Sequence, residues 1–175
     1  MTGLGSKRKG SAAEIEVARL LQDWWRRLEP GCEFVRTPGS GGWGKPSVRS
    51  GFRASGDLMT TAQQFPFVVE VKRREQWNLE RFHAGKPSPV HEWFRQAERQ
   101  ASEMLAIPML WIRHSREPWR VVLPIAVPIS ERIRSDAALS HCVHTFPIVT
   151  DQGPVYVRSY LASDLLKLQP KLVLR

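Results

Sequence analysis

Gly56-Asp57-Leu58-Met59-Thr60-Thr61, then Ala62 to Pro66, then Phe67-Val68-Val69-Glu70-Val71-Lys72 is the stretch from which the fold of this chain is read. Two short β-prone runs flank a turn segment, which predicts a hairpin with strands over Asp57–Thr61 and Phe67–Lys72. Side chains alternate along a strand, so Val69 and Val71 take one face while Val68, Glu70 and Lys72 take the other. A carboxylate and an ammonium on the same side of an apolar strand make sense where that side faces a cleft.

Upstream, Ala13, Val17, Leu20, Leu21, Trp24 and Leu28 recur at helical spacing, predicting a helix from about Ser11, as N-cap, to Leu28, stopped by Pro30-Gly31. Glu14 shares a face with Val17, Ala18, Leu21, Trp25 and Leu28, which sets it against the apolar side. An acidic residue near a helix N-terminus is also favoured on electrostatic grounds alone. Cys32–Arg36 reads as a strand and Thr37–Gly56 as a loop rich in Gly, Ser and Pro. Downstream, Ser88-Pro89 opens a helix running to about Ala106. Its buried stripe is Val90, Phe94, Ala97, Ala101 and Met104 or Leu105. Strands follow at Met109–His114 and Trp119–Pro124. After Ile125 the signals weaken: a short helix within Pro128–Ser140, strands at Thr145–Thr150 and Val155–Tyr160, and a helix over Leu161–Leu168. The order predicts an α/β domain with a mixed central sheet flanked by helices. A core over residues 1–125 is expected, with 126–175 as an extension packed on it.

The 175 residues suffice to bury one core. Lys and Arg number 26 against 17 acidic residues, a net +9, which favours a polyanionic partner because cations near phosphates release condensed counterions. Between Glu33 and Asp57 there is no acidic residue, while Arg36, Lys45, Arg49 and Arg53 are basic and Trp43 and Phe52 interleave with them. Such a loop suits ordering on a nucleic-acid backbone, although a solvated linker would look similar. The two cysteines, Cys32 and Cys142, lack metal-ligand spacing and imply neither a zinc site nor a disulfide framework. No apolar run is long enough for a membrane span and no signal peptide is evident, so a cytoplasmic protein without a membrane partner is expected.

Hydrolysis of a phosphodiester needs a hard cation at the phosphate, an activated water and neutralisation of developing charge. Mg²⁺ keeps several waters and needs only one or two carboxylates from the protein. Asp57 and Glu70 can supply them, Lys72 can orient the water or offset charge, and Glu14 can complete the site directly or through water. An Asp followed by Glu-x-Lys is common by chance. Its place on a predicted hairpin, after a helix carrying an inward Glu, makes it more specific.

Four blocks then carry a resemblance: Lys9-Gly10-Ser11-Ala12-Ala13-Glu14, Phe34-Val35-Arg36-Thr37-Pro38-Gly39-Ser40, Gly56-Asp57-Leu58 and Val69-Glu70-Val71-Lys72. In this order they resemble the archaeal-type Holliday junction resolvases of the PD-(D/E)xK nuclease superfamily, over roughly residues 7–124. The resemblance implies a restriction-endonuclease-like αβββαβ core, Mg²⁺-dependent cleavage with Mn²⁺ able to substitute, and a homodimer that resolves four-way junctions in DNA recombination and repair. It implies Glu14, Asp57 and Glu70 as metal-site carboxylates, Lys72 as the catalytic lysine, and Arg36 and Ser40 beside the scissile phosphate. Gln96 is similar to a glutamine on the following helix in several branches, and Lys45, Arg49 and Arg53 join it as expected DNA contacts. Gly56 stands where a proline often precedes the Asp. The connection from Ser40 to Asp57 is longer than in the archaeal enzymes, as in phage-like relatives.

The five histidines lack metal-ligand spacing, and Ser163-Asp164 lacks a glycine elbow. Most of the seven tryptophans are expected in the core; Trp43 and Trp77, in polar and basic surroundings, are the exceptions. The other functions weighed are a different nuclease of the same superfamily (restriction-like, repair or phage DNA-processing) and a non-catalytic DNA-binding protein.

Overall fold

Helix α1 spans Gly3–Trp25 in the computed structural model, which describes residues 3–38, 51–75, 77–128 and 144–174. The helix therefore begins well before Ser11, which is an internal residue and not the N-cap. A glycine inside a helix costs only about 1 kcal/mol, too little for Gly10 to stop one that the Lys7-Arg8-Lys9 run extends. The correction matters for Glu14, which lies well inside α1, whose first turn holds no acidic residue. Helix-end electrostatics thus do not account for it. At its other end α1 gives way to a tight turn, Leu28 N–H donating to the Trp25 carbonyl at 2.8 Å.

Strand β1 is Phe34–Arg36, β2 is Arg53–Ser55 and β3 is Leu58–Thr60. They form a three-stranded antiparallel sheet in the order β1-β3-β2. Strand β2 lies inside the segment expected to be a loop, too short and too polar to carry a periodic signal. The expected hairpin between Asp57–Thr61 and Phe67–Lys72 is not formed. Strand β3 pairs back with β2, Ser55 opposite Leu58, leaving Gly56-Asp57 as the hairpin turn. Strand β4, Phe67–Arg73, opens a separate five-stranded sheet in the order β4-β5-β6-β8-β7.

Helix α2 (Leu79–His83) and helix α3 (Pro89–Glu103) follow. Ser88 caps α3 with Pro89 in its first turn, as the sequence predicts. Helix α3 returns the chain to β5 (Ile107–Arg113), which runs parallel to β4 with Phe67 opposite Ile107. The stripe stops at Ala101. Leu105 takes a left-handed φ of 50° and is 98% exposed, because the chain must reverse there to enter β5. Strands β6 (Arg120–Pro124), β7 (His144–Thr150) and β8 (Gly153–Leu161) are antiparallel to their neighbours. Residues beyond 143 thus supply two strands of the same sheet. Helix α4 (Ala162–Lys167) leads to a 3₁₀ turn at Pro170–Val173. Trp24 Nε1–H donates to the Leu168 carbonyl at 2.9 Å, tying this end to α1.

The result is a mixed α/β fold with a mixed sheet flanked by helices. One apolar layer joins Val17, Leu21, Trp24 and Trp25 of α1 to Phe67, Val69, Val71, Met109 and Trp111. The other joins Val90 and Phe94 of α3 to Leu110, Ile112 and Val122. Phe67 to Val71 are buried in an unbroken run because helices cover both sheet faces. Among the described residues no helix is long and apolar enough to cross a membrane.

Candidate active site

Strand β4 is the edge of its sheet, so the outer N–H and C=O groups need partners from elsewhere. The β2–β3 turn provides them. Asp57 N–H donates to the Val69 carbonyl at 2.8 Å, and Val71 N–H donates to Asp57 Oδ2 at 2.9 Å. The carboxylate of Asp57 therefore occupies the place of a neighbouring strand's carbonyl and is aimed along the β4 edge. Thr37 holds the turn from behind: its N–H donates to the Asp57 carbonyl at 2.9 Å and its hydroxyl to the Gly56 carbonyl at 3.0 Å. Gly56 is required twice over. Its φ of +75° is left-handed, and a Cβ would fall 2.3 Å from the Val69 carbonyl oxygen. A proline at this position, common in the resembling enzymes, would demand φ near −65° and could not make this turn.

Glu70 alternates to the α3 side of β4 and is 1% exposed. Lys72, two residues on, ion-pairs with Glu70 and donates from Nζ to Gln96 Oε1 at 3.3 Å. Glu70 is thus a buried carboxylate held by the Lys72 ammonium and the Gln96 side chain, both of which favour its anion. Glu14, 8% exposed, reaches the same region from α1 and pairs with Arg36 at the end of β1. The negative charge of Glu14 is felt by both Asp57 and Glu70. The structure thus gathers Glu14, Arg36, Asp57, Glu70, Lys72 and Gln96, from five separate elements. Ser40, Lys45 and Arg49, also singled out in the sequence, lie outside the described residues, as does Trp43.

Arg53 is placed differently. Its guanidinium donates to the carbonyls of Ala62 and Phe65, pinning the connection from β3 to β4 instead of facing the carboxylates. Arg53→Met is accordingly expected to cost about 2 kcal/mol of stability by orphaning those carbonyls. The dependence of DNA affinity on salt should stay as in the unaltered protein. A urea titration and a salt-titrated binding curve check the pair of outcomes; a shallower salt slope would place Arg53 at the phosphates.

A second anchor had no sequence signature. Arg113 on β5 makes a bidentate bond to Glu16, with Nη1 at 2.7 Å and Nη2 at 2.6 Å, and its guanidinium lies 4.3 Å over the Trp119 ring. Trp119 Nε1–H also donates to Glu16 at 3.0 Å. Two residues from Glu14, this clamp sets the rotation of α1 and so the direction in which Glu14 points.

Packing two carboxylates into one dry site has an electrostatic cost. Burial, and then the charge of Glu70, push the Asp57 carboxyl up to about 7, against the Val71 amide bond that favours the anion. Burial raises Glu70 as well, opposed by the Lys72 ammonium. A group raised in the fold stabilises it fully below its unfolded pKa, and that stabilisation is lost as pH rises through the folded value. Metal-free protein should therefore melt at progressively lower temperature from pH 5 to pH 8. A divalent cation that neutralises the pair should recover more at pH 8 than at pH 5. Calorimetry with and without Mg²⁺ reads both; equal metal effects at the two pH values would contradict the coupling. Glu16 does not confuse this window. Despite its burial, the bonds from Arg113 and Trp119 hold it below the usual range, so it titrates at lower pH.

The donor set suits a small hard cation. Asp57 and Glu70 bring hard carboxylate oxygens to one cluster, each within the electrostatic reach of Glu14 and Lys72. Among the described residues, no three His, Cys, Asp or Glu side chains converge as a complete metal cage. A cation here would complete its shell with water and substrate oxygens, the pattern expected of Mg²⁺.

A family model described as "Phage putative PDDEXK endonuclease" matches residues 5–168. Among solved structures, the chain is similar to Archaeoglobus fulgidus Hjc, a Holliday junction resolvase from an archaeal hyperthermophile. The identity is 12% and the TM-score 0.32, over 85% of this chain and 98% of that one. No curated protein matches the chain.

Proposed function

Because this chain belongs to the phage PDDEXK endonuclease family, we propose that it is a Mg²⁺-dependent DNA endonuclease that hydrolyses phosphodiesters at four-way junctions. The observation that carries the chemistry is the pair of carboxylates, half-buried Asp57 and buried Glu70, with Lys72 held beside them by Gln96. Carboxylates next to a phosphate weaken DNA binding unless a cation lies between, so a purely binding protein has no physical use for them. Asp57 and Glu70 would hold the cation, and Glu14 would reach it through water while neutralising Arg36. When bound, the cation supplies Lewis acidity toward the phosphate oxygens; Mn²⁺ would substitute. Lys72 orients the attacking water and offsets charge on the phosphorane, and Gln96 fixes the ammonium for that task. Arg36 lies at the cluster's margin, where it can pair with the scissile phosphate.

The junction as substrate is supported by the four sequence blocks. In this reading residues 1–125 carry the nuclease site, and the segment beyond adds strands β7 and β8 to the same sheet. Two sites related by a two-fold axis match a four-way junction, so the active form is a homodimer in the host cytoplasm. Labelled four-way junction, linear duplex, flap and single strand, each incubated with Mg²⁺, separate the possibilities. Paired symmetric nicks confined to the junction are expected. Cutting of every substrate would make it a broader nuclease, and no cutting in Mg²⁺ or Mn²⁺ would overturn the enzyme reading. Sedimentation as a monomer at micromolar concentration would remove the dimer.

A further inference from the structure

Trp77 follows β4 by a few residues and stands half-buried at the surface, its indole N–H donating to the Arg74 carbonyl at 3.0 Å. It packs edge-to-face with half-buried Trp93, ring centroids 6.2 Å apart and planes at 79°. The contact covers one face of one ring only, and both indoles stand at the rim of the apolar layer under α3. Trp93 lies one helical turn before Gln96 on α3, on the same face, and Gln96 accepts from Lys72. Through Trp93 the pair thus adjoins, along α3, the residue that bonds Lys72.

Trp77 borders two clefts of about 370 Å³ each. They differ in charge. One is lined by Arg81, Asn78, Ser88 and the prolines 87 and 89, with a cation and no carboxylate. The other holds Glu80 and Glu117 and would repel a phosphate. A half-buried indole lining a cleft beside an arginine and two proline rings offers what a base with its attached phosphate requires: a flat apolar surface and a nearby positive charge. A polyanionic strand suits a chain of net charge +9 better than a second protein would.

We infer that Trp77, supported by Trp93 and flanked by Arg81, stacks one unpaired nucleobase of the strand whose phosphate lies at Asp57, Glu70 and Lys72. The inference rests on the DNA-cleavage reading for its substrate class and adds to it a preference for strands with a base free to leave the helix. Duplex DNA keeps its bases stacked and cannot use the site; branch points and single strands can.

The test uses the full chain without divalent metal and two labelled single-stranded probes of equal length, oligothymidylate and the same backbone lacking its bases. The unaltered protein should bind oligothymidylate about tenfold more tightly than the abasic strand. Trp77→Leu keeps an apolar side chain against Trp93 but no ring; it should lose that tenfold on oligothymidylate and leave abasic binding unchanged. Trp77→Phe, which keeps a ring, should recover most of it, and the salt slope should be the same in all three. Equal loss on both probes by Trp77→Leu without recovery by Trp77→Phe, or no loss on either, would overturn the site. Base-dependent binding in a protein that cuts no DNA in Mg²⁺ or Mn²⁺ would support the site and sink the nuclease reading instead.

Discussion

Asp57→Asn is expected to lower the rate of DNA cleavage by on the order of 10³-fold or more, and at the same time to raise the melting temperature of the metal-free protein at pH 8. The two effects share a cause. At pH 8 the Asp57 carboxylate is ionised in a buried site next to Glu70 and within reach of the charge on Glu14. Replacing it by an amide removes that repulsion, while the amide oxygen can still accept the Val71 N–H now bonded at 2.9 Å. The turn should keep its place, and the lost function is then the negative charge needed to hold a cation. DNA affinity without metal should be unchanged or tighter, since one negative charge near the phosphate has gone. Single-turnover cleavage, a melting curve at pH 8 and a metal-free binding isotherm check the three parts. Joint loss of binding and cleavage would mean that Asp57 is structural, and retained cleavage would remove it from the metal site.

Gly56→Ala is expected to destabilise the protein by about 4 kcal/mol, combining left-handed strain with a backbone collision. The new Cβ would lie 2.3 Å from the Val69 carbonyl oxygen, 3.0 Å from its carbon and 3.1 Å from Val68 Cγ1. Two of those three atoms are backbone in the strand that carries Glu70, so no rotamer change relieves the contact. Either the turn lifts off β4 or β4 moves. Both break the bonds that bring Asp57 to the Glu70 strand, and cleavage should fall even under conditions where the variant is folded. Urea unfolding reads the stability and single-turnover kinetics the activity. A variant within about 0.5 kcal/mol of the unaltered protein would mean that the turn does not press on β4 as described.

The same position shows where sequence reading reached its limit. In the sequence Gly56 is only a glycine standing where a proline often precedes the Asp. The structure makes it the contact on which the site is assembled, and the signal available for finding it was the bare fact of a glycine beside the Asp. The pairing of β3 is hidden in the sequence for a related reason. Two β-prone runs joined by a turn segment suggest a hairpin, but β3 pairs instead with Phe34–Arg36 and with Arg53–Ser55, the latter three residues whose pattern is indistinguishable from loop. Arg53 resembled a phosphate contact because its charge is visible in the sequence while the carbonyls of Ala62 and Phe65 that hold it are not.

What the amino-acid order settled is everything that depends on local period. The alternation of β4 put Glu70 and Lys72 on one face, the helical stripe of α1 put Glu14 against the sheet, and Ser88-Pro89 started the helix that carries Gln96. These follow from backbone geometry that repeats every two or 3.6 residues, so a short window contains them. The convergence of those groups is of another kind. It needs a hairpin turn to butt edge-on against a strand of a different sheet, through a carbonyl that tolerates no Cβ opposite it. It also needs Arg113 and Trp119 to fix α1 through Glu16, about a hundred residues away in the chain. Such contacts join groups distant in the chain once each, without a repeat, and only the packed chain brings them within reach.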